Sequence, residues 1–224
     1  MLGKILDKLE AKFGRNTGIH NLMTLIVAGM AAAVVGEILL MFLPSLNISL
    51  IEWLTFDKAA ILRGQVWRVF TFVFVPPDAS IIFMVFALYF YWMLGNTLER
   101  EWGTLRFTLF YMCGMLGNVI AGTITNYATS HYLNLSLFLA AALIYPNNTL
   151  NIYGILPVKM KWMAMLDLAL ILYSFIFSSW PVRIAIIVSL LNVLLFFIDK
   201  LLNQFAAARR RYEWKKNWRN GNWR

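Results

Sequence analysis

The sequence predicts an all-α, polytopic membrane protein: a six-helix bundle with a large first loop partly embedded in the bilayer. Three observations predict it. The 224 residues are 60% hydrophobic and only 14% charged, whereas soluble domains run near half apolar with about a quarter charged. Six segments are apolar enough to cross about 30 Å of hydrocarbon, which takes roughly 20 helical residues. Lys and Arg are sorted onto one side of those segments. The composition excludes disorder, which needs low hydrophobicity. A single cysteine, Cys113, excludes an intrachain disulfide and a zinc–thiolate cluster.

Residues 1–20 form an N-terminal segment. Leu2, Ile5, Leu6, Leu9 and Phe13 recur at helical spacing with Lys4, Asp7, Lys8 and Lys12 between them. That pattern predicts an amphipathic helix on the cytoplasmic membrane surface. Charges throughout residues 1–13 argue against a cleavable signal peptide. Residues 21–205 hold the spans, placed at Leu22–Leu43, Ser80–Leu98, Trp102–Ile124, Ser130–Tyr145, Met160–Ser178 and Val182–Leu202. Pro146, Pro157 and Pro181 punctuate the junctions, because proline cannot continue a helix. The first loop, about Pro44 to Ala79, is too long for a simple turn. Its apolar residues, such as Trp53, Phe56, Phe70 and Phe72, are interrupted by Glu52, Asp57, Lys58, Arg63 and Arg68. No window there can cross the bilayer, so a structure embedded in the outer leaflet is expected. Residues 206–224 form a basic, aromatic tail.

Orientation follows from the cations. With both termini on one side, that side carries sixteen Lys and Arg and the other carries four, Lys58, Arg63, Arg68 and Arg183. This predicts cytoplasmic termini and an even number of spans. The net charge of +9 is thus largely a topology signal rather than a nucleic-acid footprint. Seven cations from Arg209 to Arg224 alternate with Tyr212, Trp214, Trp218 and Trp223, which fits contact with anionic lipids. Docking to an acidic cytosolic partner is the alternative for this tail, and its removal (residues 207–224) separates the two. The small size favours a bacterial plasma membrane. Asn47-Ile48-Ser49 is a glycosylation sequon that matters only in a eukaryote.

Two motifs carry a family resemblance. The loop contains Gly64-Gln65-Val66-Trp67-Arg68-Val69-Phe70-Thr71. The second span ends Gly95-Asn96-Thr97-Leu98-Glu99-Arg100-Glu101-Trp102-Gly103. A Trp-Arg pair in a large first loop, then Gly, Glu and Gly at four-residue intervals before the third span, resembles the rhomboid superfamily. The likeness covers about residues 20–205 and includes the Pro157-Val158-Lys159-Met160-Lys161-Trp162 entry to span five. It implies structural roles for Trp67, Arg68, Gly95, Glu99 and Gly103. Physically, Arg68 at apolar depth needs partners and can tie loop carbonyls together. Trp67 suits the headgroup level. Gly95 and Gly103 permit close backbone approach, and Glu99 can accept from the amides that open span three.

The resemblance also implies where a protease site would stand. Catalytic rhomboids carry a Gly-x-Ser-Gly serine on span four and a histidine on span six. Span four here reads Tyr132-Leu133-Asn134-Leu135-Ser136-Leu137-Phe138, which places Asn134 at the nucleophile position, or Ser136 in a register shifted by two. The histidines are His20 and His131, with none beyond. A serine hydroxyl is a weak nucleophile without an adjacent base. The oxyanion positions on span two hold Phe83 and Ala87, which donate nothing. Span six lacks the Gly-x-x-x-Gly spacing of active members. His131 and Ser136 lie about 140° apart around a helix, so they cannot form a dyad. The chain therefore reads as a pseudoprotease or derlin-like relative rather than an enzyme.

Polar groups within spans are functional candidates. Asn118, Asn134, Ser136, Asp167 and Asn192 are assigned to a polar cavity that binds transmembrane segments of client proteins, in quality control or trafficking; interhelical hydrogen bonding is the structural alternative. Two other classes compete: an enzyme with an unrecognised site at Ser136 or Ser189, and a small-solute transporter using Glu37 or Asp167. No metal-ligand cluster, cofactor motif or inverted repeat is visible.

Overall fold

The computed structural model describes residues 2–42, 48–152 and 156–219. In chain order it contains α1 (Leu2–Phe13), α2 (Leu22–Met41), α3 (Leu50–Leu54), α4 (Lys58–Leu62) and α5 (Arg68–Thr71), the last running into a 3-10 turn at Phe72–Phe74. There follow α6 (Ile81–Trp102), α7 (Thr104–Thr125) and α8 (Ser130–Ile144). A hairpin of β1 (Thr149–Ile152) and β2 (Leu156–Lys159) leads to α9 (Met160–Phe177) and α10 (Trp180–Arg219). The fold is an all-α, multi-pass membrane architecture. Asn47 of the sequon lies outside the described residues.

Five helices are long and apolar enough to cross a membrane: α2, α6, α7, α9 and the Trp180–Ile198 part of α10. The sixth, α8, has 15 residues, about 22 Å at 1.5 Å each, short of a 30 Å core. Its burial explains why it can be short. Ten of the 15 residues are buried, and α6, α7, α9 and α10 all pack against it. Protein rather than lipid surrounds α8, so its length need not match the bilayer. Ala140, Ala141 and Ala142 let these neighbours approach closely. α9 is the opposite case, burying only Met160 and Ile171.

The core joins Met23 and Met30 of α2, Leu94 and Leu98 of α6, Phe107, Phe110 and Tyr111 of α7, and Leu133 and Leu137 of α8. Trp102 closes it at one end against Phe110 and Phe197, with ring centroids 5.5 and 5.1 Å away. Outside this core, large apolar side chains such as Ile82, Phe83, Leu166, Tyr173 and Phe177 are exposed. An apolar exterior of this extent suits a lipid solvent.

Two helix ends differ from the expected ones, for one reason. α6 runs on to Trp102, past the charged Glu99, Arg100 and Glu101, and stops only at Gly103, whose φ is 86°. α10 continues unbroken to Arg219, 40 residues in all, so no break marks the expected boundary at 205/206. Glu, Arg, Lys, Gln and Ala are good helix formers. Leaving an apolar stretch ends a span without ending its helix.

The hairpin is an addition to the expected all-helical chain. β1 and β2 pair antiparallel, with Thr149 opposite Lys159 and Ile152 opposite Leu156. Backbone bonds from Met160 N–H to Asn148 O (2.8 Å) and from Lys161 N–H to Pro146 O (3.1 Å) close its base. Pro157 is tolerated because a two-stranded ribbon consists only of edges.

α1 is docked on protein. Arg106 of α7 donates to both carboxylate oxygens of Glu10 (2.6 and 2.7 Å) and to Asp7 (2.7 Å). Leu6 is buried, and α1 also touches α10. The membrane-surface helix of the sequence reading is therefore anchored to the bundle by a bidentate ion pair. We call the face with α1, the α6–α7 junction and the hairpin the terminal face. The opposite face carries α3–α5.

Candidate functional sites in the bundle

The first loop is organised around Arg68, which is 9% exposed. Its Nη1 donates to the carbonyls of Glu52 (2.6 Å) and Thr55 (2.8 Å), and its Nε donates to Gln65 Oε1 (2.6 Å). One guanidinium thus binds the end of α3 to the start of α5. Trp67 stacks on Trp53 with centroids 6.2 Å apart. Asp57 caps α4 through the Ala59 N–H at 2.8 Å. Glu37 of α2 holds this loop to the bundle. It accepts from the Ser49 hydroxyl (2.9 Å) and the Ile51 N–H (3.1 Å), so both oxygens are used as a staple. That arrangement does not resemble an ion carrier. Phe56, Phe72 and Val73 insert into the core.

At the terminal face, Gly95 admits α2. A Cβ there would lie 2.3 Å from Met23 Cβ, well inside van der Waals contact. Glu99 differs from its expected role. Its Oε1 accepts from the Asn21 N–H (3.1 Å) and the Thr104 hydroxyl (3.2 Å). It therefore caps the entry to α2, where Asn21 is left-handed, and only a side chain of α7 rather than its opening amides. The reason is geometric: Gly103 turns the chain so that α7 starts beside the residue 14–21 linker, with Arg15 O accepting from the Leu105 N–H at 3.2 Å.

This junction surrounds a crevice of about 1130 Å³, lined by Arg15, His20, Asn21, Thr24, Trp92, Asn96, Glu99, Arg100 and Thr104 among others. His20 Nδ1 is 3.2 Å from Thr104 Oγ1. Trp92 Nε1 donates to Thr24 Oγ1 at 3.1 Å. The Gly–Glu–Gly motif supplies part of its wall, Glu99 and Gly103, but does not by itself imply a crevice. The available signal was the pair Thr24 and Asn96, polar residues one turn inside two different spans.

The five residues assigned to a client cavity are held in different ways. Asn118 Nδ2 donates to Gly114 O (2.9 Å), and Asn192 Nδ2 donates to Phe110 O (3.2 Å). Both meet α7 near Gly114, where an added Cβ would strike Leu133 Cδ1 at 2.4 Å. Ser136 donates to Leu133 O of its own helix at 2.6 Å. With Ser189 it lines a small void of about 10 Å³ capped by Ile171 of α9. Asn134 is buried with neither amide atom partnered, and the Ser189 Oγ, Asn118 Oδ1 and Asn192 Oδ1 atoms are likewise unpartnered. Asp167 stands apart on α9, its Oδ2 buried without a partner, within electrostatic reach of Tyr91 on α6. Asn118 and Ser136 thus bond carbonyls of their own helices, Asn192 reaches across to α7, and Asn134 and the Asp167 Oδ2 are left without hydrogen-bond partners.

Among the described residues, neither Ser136 nor Thr104 has the geometry of an activated nucleophile. Ser136 points its proton at a carbonyl. The hydroxyl–imidazole contact that does exist, Thr104 with His20, puts threonine between the imidazole and Glu99. A catalytic relay requires the imidazole in the middle. No group of three or more His, Cys, Asp or Glu suited to a metal occurs among the described residues.

Residues 28–198 match the family described as Eukaryotic integral membrane protein (DUF1751). Over 64 residues the chain is 36% identical to Rhomboid-like protease 1 of Toxoplasma gondii, a stretch that covers 28% of this chain and 21% of that protein. The chain thus spans about a fifth of that relative's length. No solved structure matches the chain. The family's eukaryotic description counts against the bacterial plasma membrane expected from size. A multi-pass helical bundle, together with a family match over most of its length, shows that this chain belongs to the DUF1751 family of eukaryotic integral membrane proteins, with a partial likeness to a rhomboid-like protease.

Proposed function

We propose that the protein is a non-proteolytic, rhomboid-like membrane protein that binds transmembrane segments of other proteins, in quality control or trafficking within a eukaryotic membrane, with both termini cytoplasmic. The observation that carries this reading is Asp167. It is a carboxylic side chain midway along α9, with one oxygen buried and unpartnered. An intramembrane carboxyl with an unbonded buried oxygen is costly and is a functional-site candidate by default. α9 itself buries only two of its residues, Met160 and Ile171, so its apolar surface is free for a second helix. A client helix carrying an amide, hydroxyl or basic group would satisfy Asp167 while covering that surface. Displacing α9 would also uncover Ser136 and Ser189 behind Ile171.

Proteolysis is set aside on residues. Asn134 or Ser136 occupies the nucleophile position, and no histidine follows residue 131.

The test is in-cell photocrosslinking from Leu166 and Leu170, which flank Asp167, and from positions beside Asn134 and Asn192. Membrane proteins should be captured, and Asp167→Leu should reduce capture severalfold while the protein stays folded. Equal capture by the Asp167→Leu variant would refute the reading.

A further inference from the structure

We propose that the terminal-face crevice binds the phosphate of an anionic glycerophospholipid from the adjacent leaflet. This goes beyond client binding and uses different residues.

Charge comes first. The acid lining the crevice is Glu99. Its Oε1 is taken by the Asn21 N–H and the Thr104 hydroxyl, and its Oε2 is buried. That Oε2 has no hydrogen-bond partner, and against this one carboxylate stand Arg15 and Arg100, so the lining carries a net positive charge. Arg15 uses Nη2 on Glu101 O at 2.7 Å, which leaves most of its five N–H donors available. Arg100 is exposed and has no partner among the described residues. Two guanidiniums at one mouth favour a phosphate, which they bind in a fork geometry.

Depth comes second. The lining descends α6 from Arg100 through Asn96 to Trp92, eight residues or about 12 Å of helix, toward the bilayer interior. A free phosphate would need only the mouth. The lower wall is polar where α2 meets α6. Trp92 Nε1 donates to Thr24, and Asn96 engages Thr24 only through its Oδ1, at 3.5 Å. The Asn96 Nδ2 donors are thus left for an ester carbonyl. A ligand anionic at one end, ester-bearing below it and directed toward the bilayer interior fits a glycerophospholipid. The volume, about 1130 Å³, exceeds what a headgroup and glycerol require.

Native mass spectrometry of the purified full-length protein in detergent tests this, using phosphatidylserine, phosphatidylinositol and phosphatidylcholine as probes. The anionic lipids should be retained about fivefold or more over phosphatidylcholine, the preference that one surface cation supplies. Arg100→Gln should bring that ratio near parity. Asn96→Leu should weaken retention of all three lipids. Neutralising Arg209, Arg210 and Arg211 to Gln should leave the ratio unchanged. Equal retention of all three lipids by the unaltered protein would overturn the proposal. So would an Arg100→Gln variant with undiminished preference, or loss of preference on neutralising the tail. Displacement of the lipid by millimolar inorganic phosphate would also overturn it, in favour of a free-phosphate site.

Discussion

Arg68→Ala should destabilise the protein through the first loop. The side chain makes three charge-assisted hydrogen bonds of 2.6, 2.8 and 2.6 Å. Each such bond contributes about 1.5–3 kcal/mol, so a simple sum is about 5–9 kcal/mol. That sum overstates the loss. Glu52 and Thr55 are exposed residues, and water can take over part of the burden at their carbonyls. A loss of about 3 kcal/mol is the reasoned figure. At roughly 2–4 °C per kcal/mol for a domain of this size, the midpoint should fall by about 6–12 °C. Arg68→Lys keeps the charge but not the fork, and should fall about half as far. The assay is thermal unfolding in detergent followed by tryptophan fluorescence, with hydrogen exchange across residues 48–74. Arg63→Ala is the control, since exposed Arg63 makes one bond, to Ala59 O at 3.1 Å, and a surface change of this kind stays near 0.5 kcal/mol. If Arg68→Ala shifts the midpoint no more than Arg63→Ala, the guanidinium does not organise the loop.

Three further outcomes follow from the same geometry. Gly95→Leu should cost about 1–3 kcal/mol by overpacking, because even its Cβ would sit 2.3 Å from Met23 Cβ; an unchanged unfolding midpoint would contradict the contact between α2 and α6. Asn134→Leu should leave stability unchanged or raise it by about 1 kcal/mol, since both amide atoms lack partners in the fold, while lowering client crosslinking; a destabilised variant would mean the amide is bonded after all. Glu37→Ala should free α3, with faster hydrogen exchange at residues 48–54 and none of that change in α7 or α8, because Glu37 accepts from Ser49 and Ile51; proteoliposome uptake lost with this variant would restore the transport reading.

Much of the architecture was legible because it follows from local chemistry. Span positions depend on summed hydropathy, and five of the six helices satisfy that criterion individually. α8 was readable as the shortest span, yet its enclosure was not, because enclosure depends on neighbours far along the chain. The Trp67-Arg68 and Gly95–Glu99–Gly103 patterns fall in the first loop and at the α6–α7 junction. Their partners did not follow from pattern: Glu99 bonds Asn21, 78 positions away. The hairpin between α8 and α9 escaped notice because two four-residue strands carry little periodicity.

The amino-acid sequence by itself determined the solvent, the helices and the absence of a histidine beyond His131, because each depends on composition or on what a short stretch can do alone. The tertiary structure decided how the polar side chains are used. Glu37 became a staple, Asn118 and Asn192 turned to α7 carbonyls, and the Asp167 Oδ2 and the Asn134 amide were left without hydrogen-bond partners. It also decided that α1 is tied down by Arg106 and that Arg15, Arg100 and Asn96 share one crevice. Hydrogen bonding is short-ranged and directional, so a polar residue acquires its role only once packing places a donor or acceptor within about 3 Å of it.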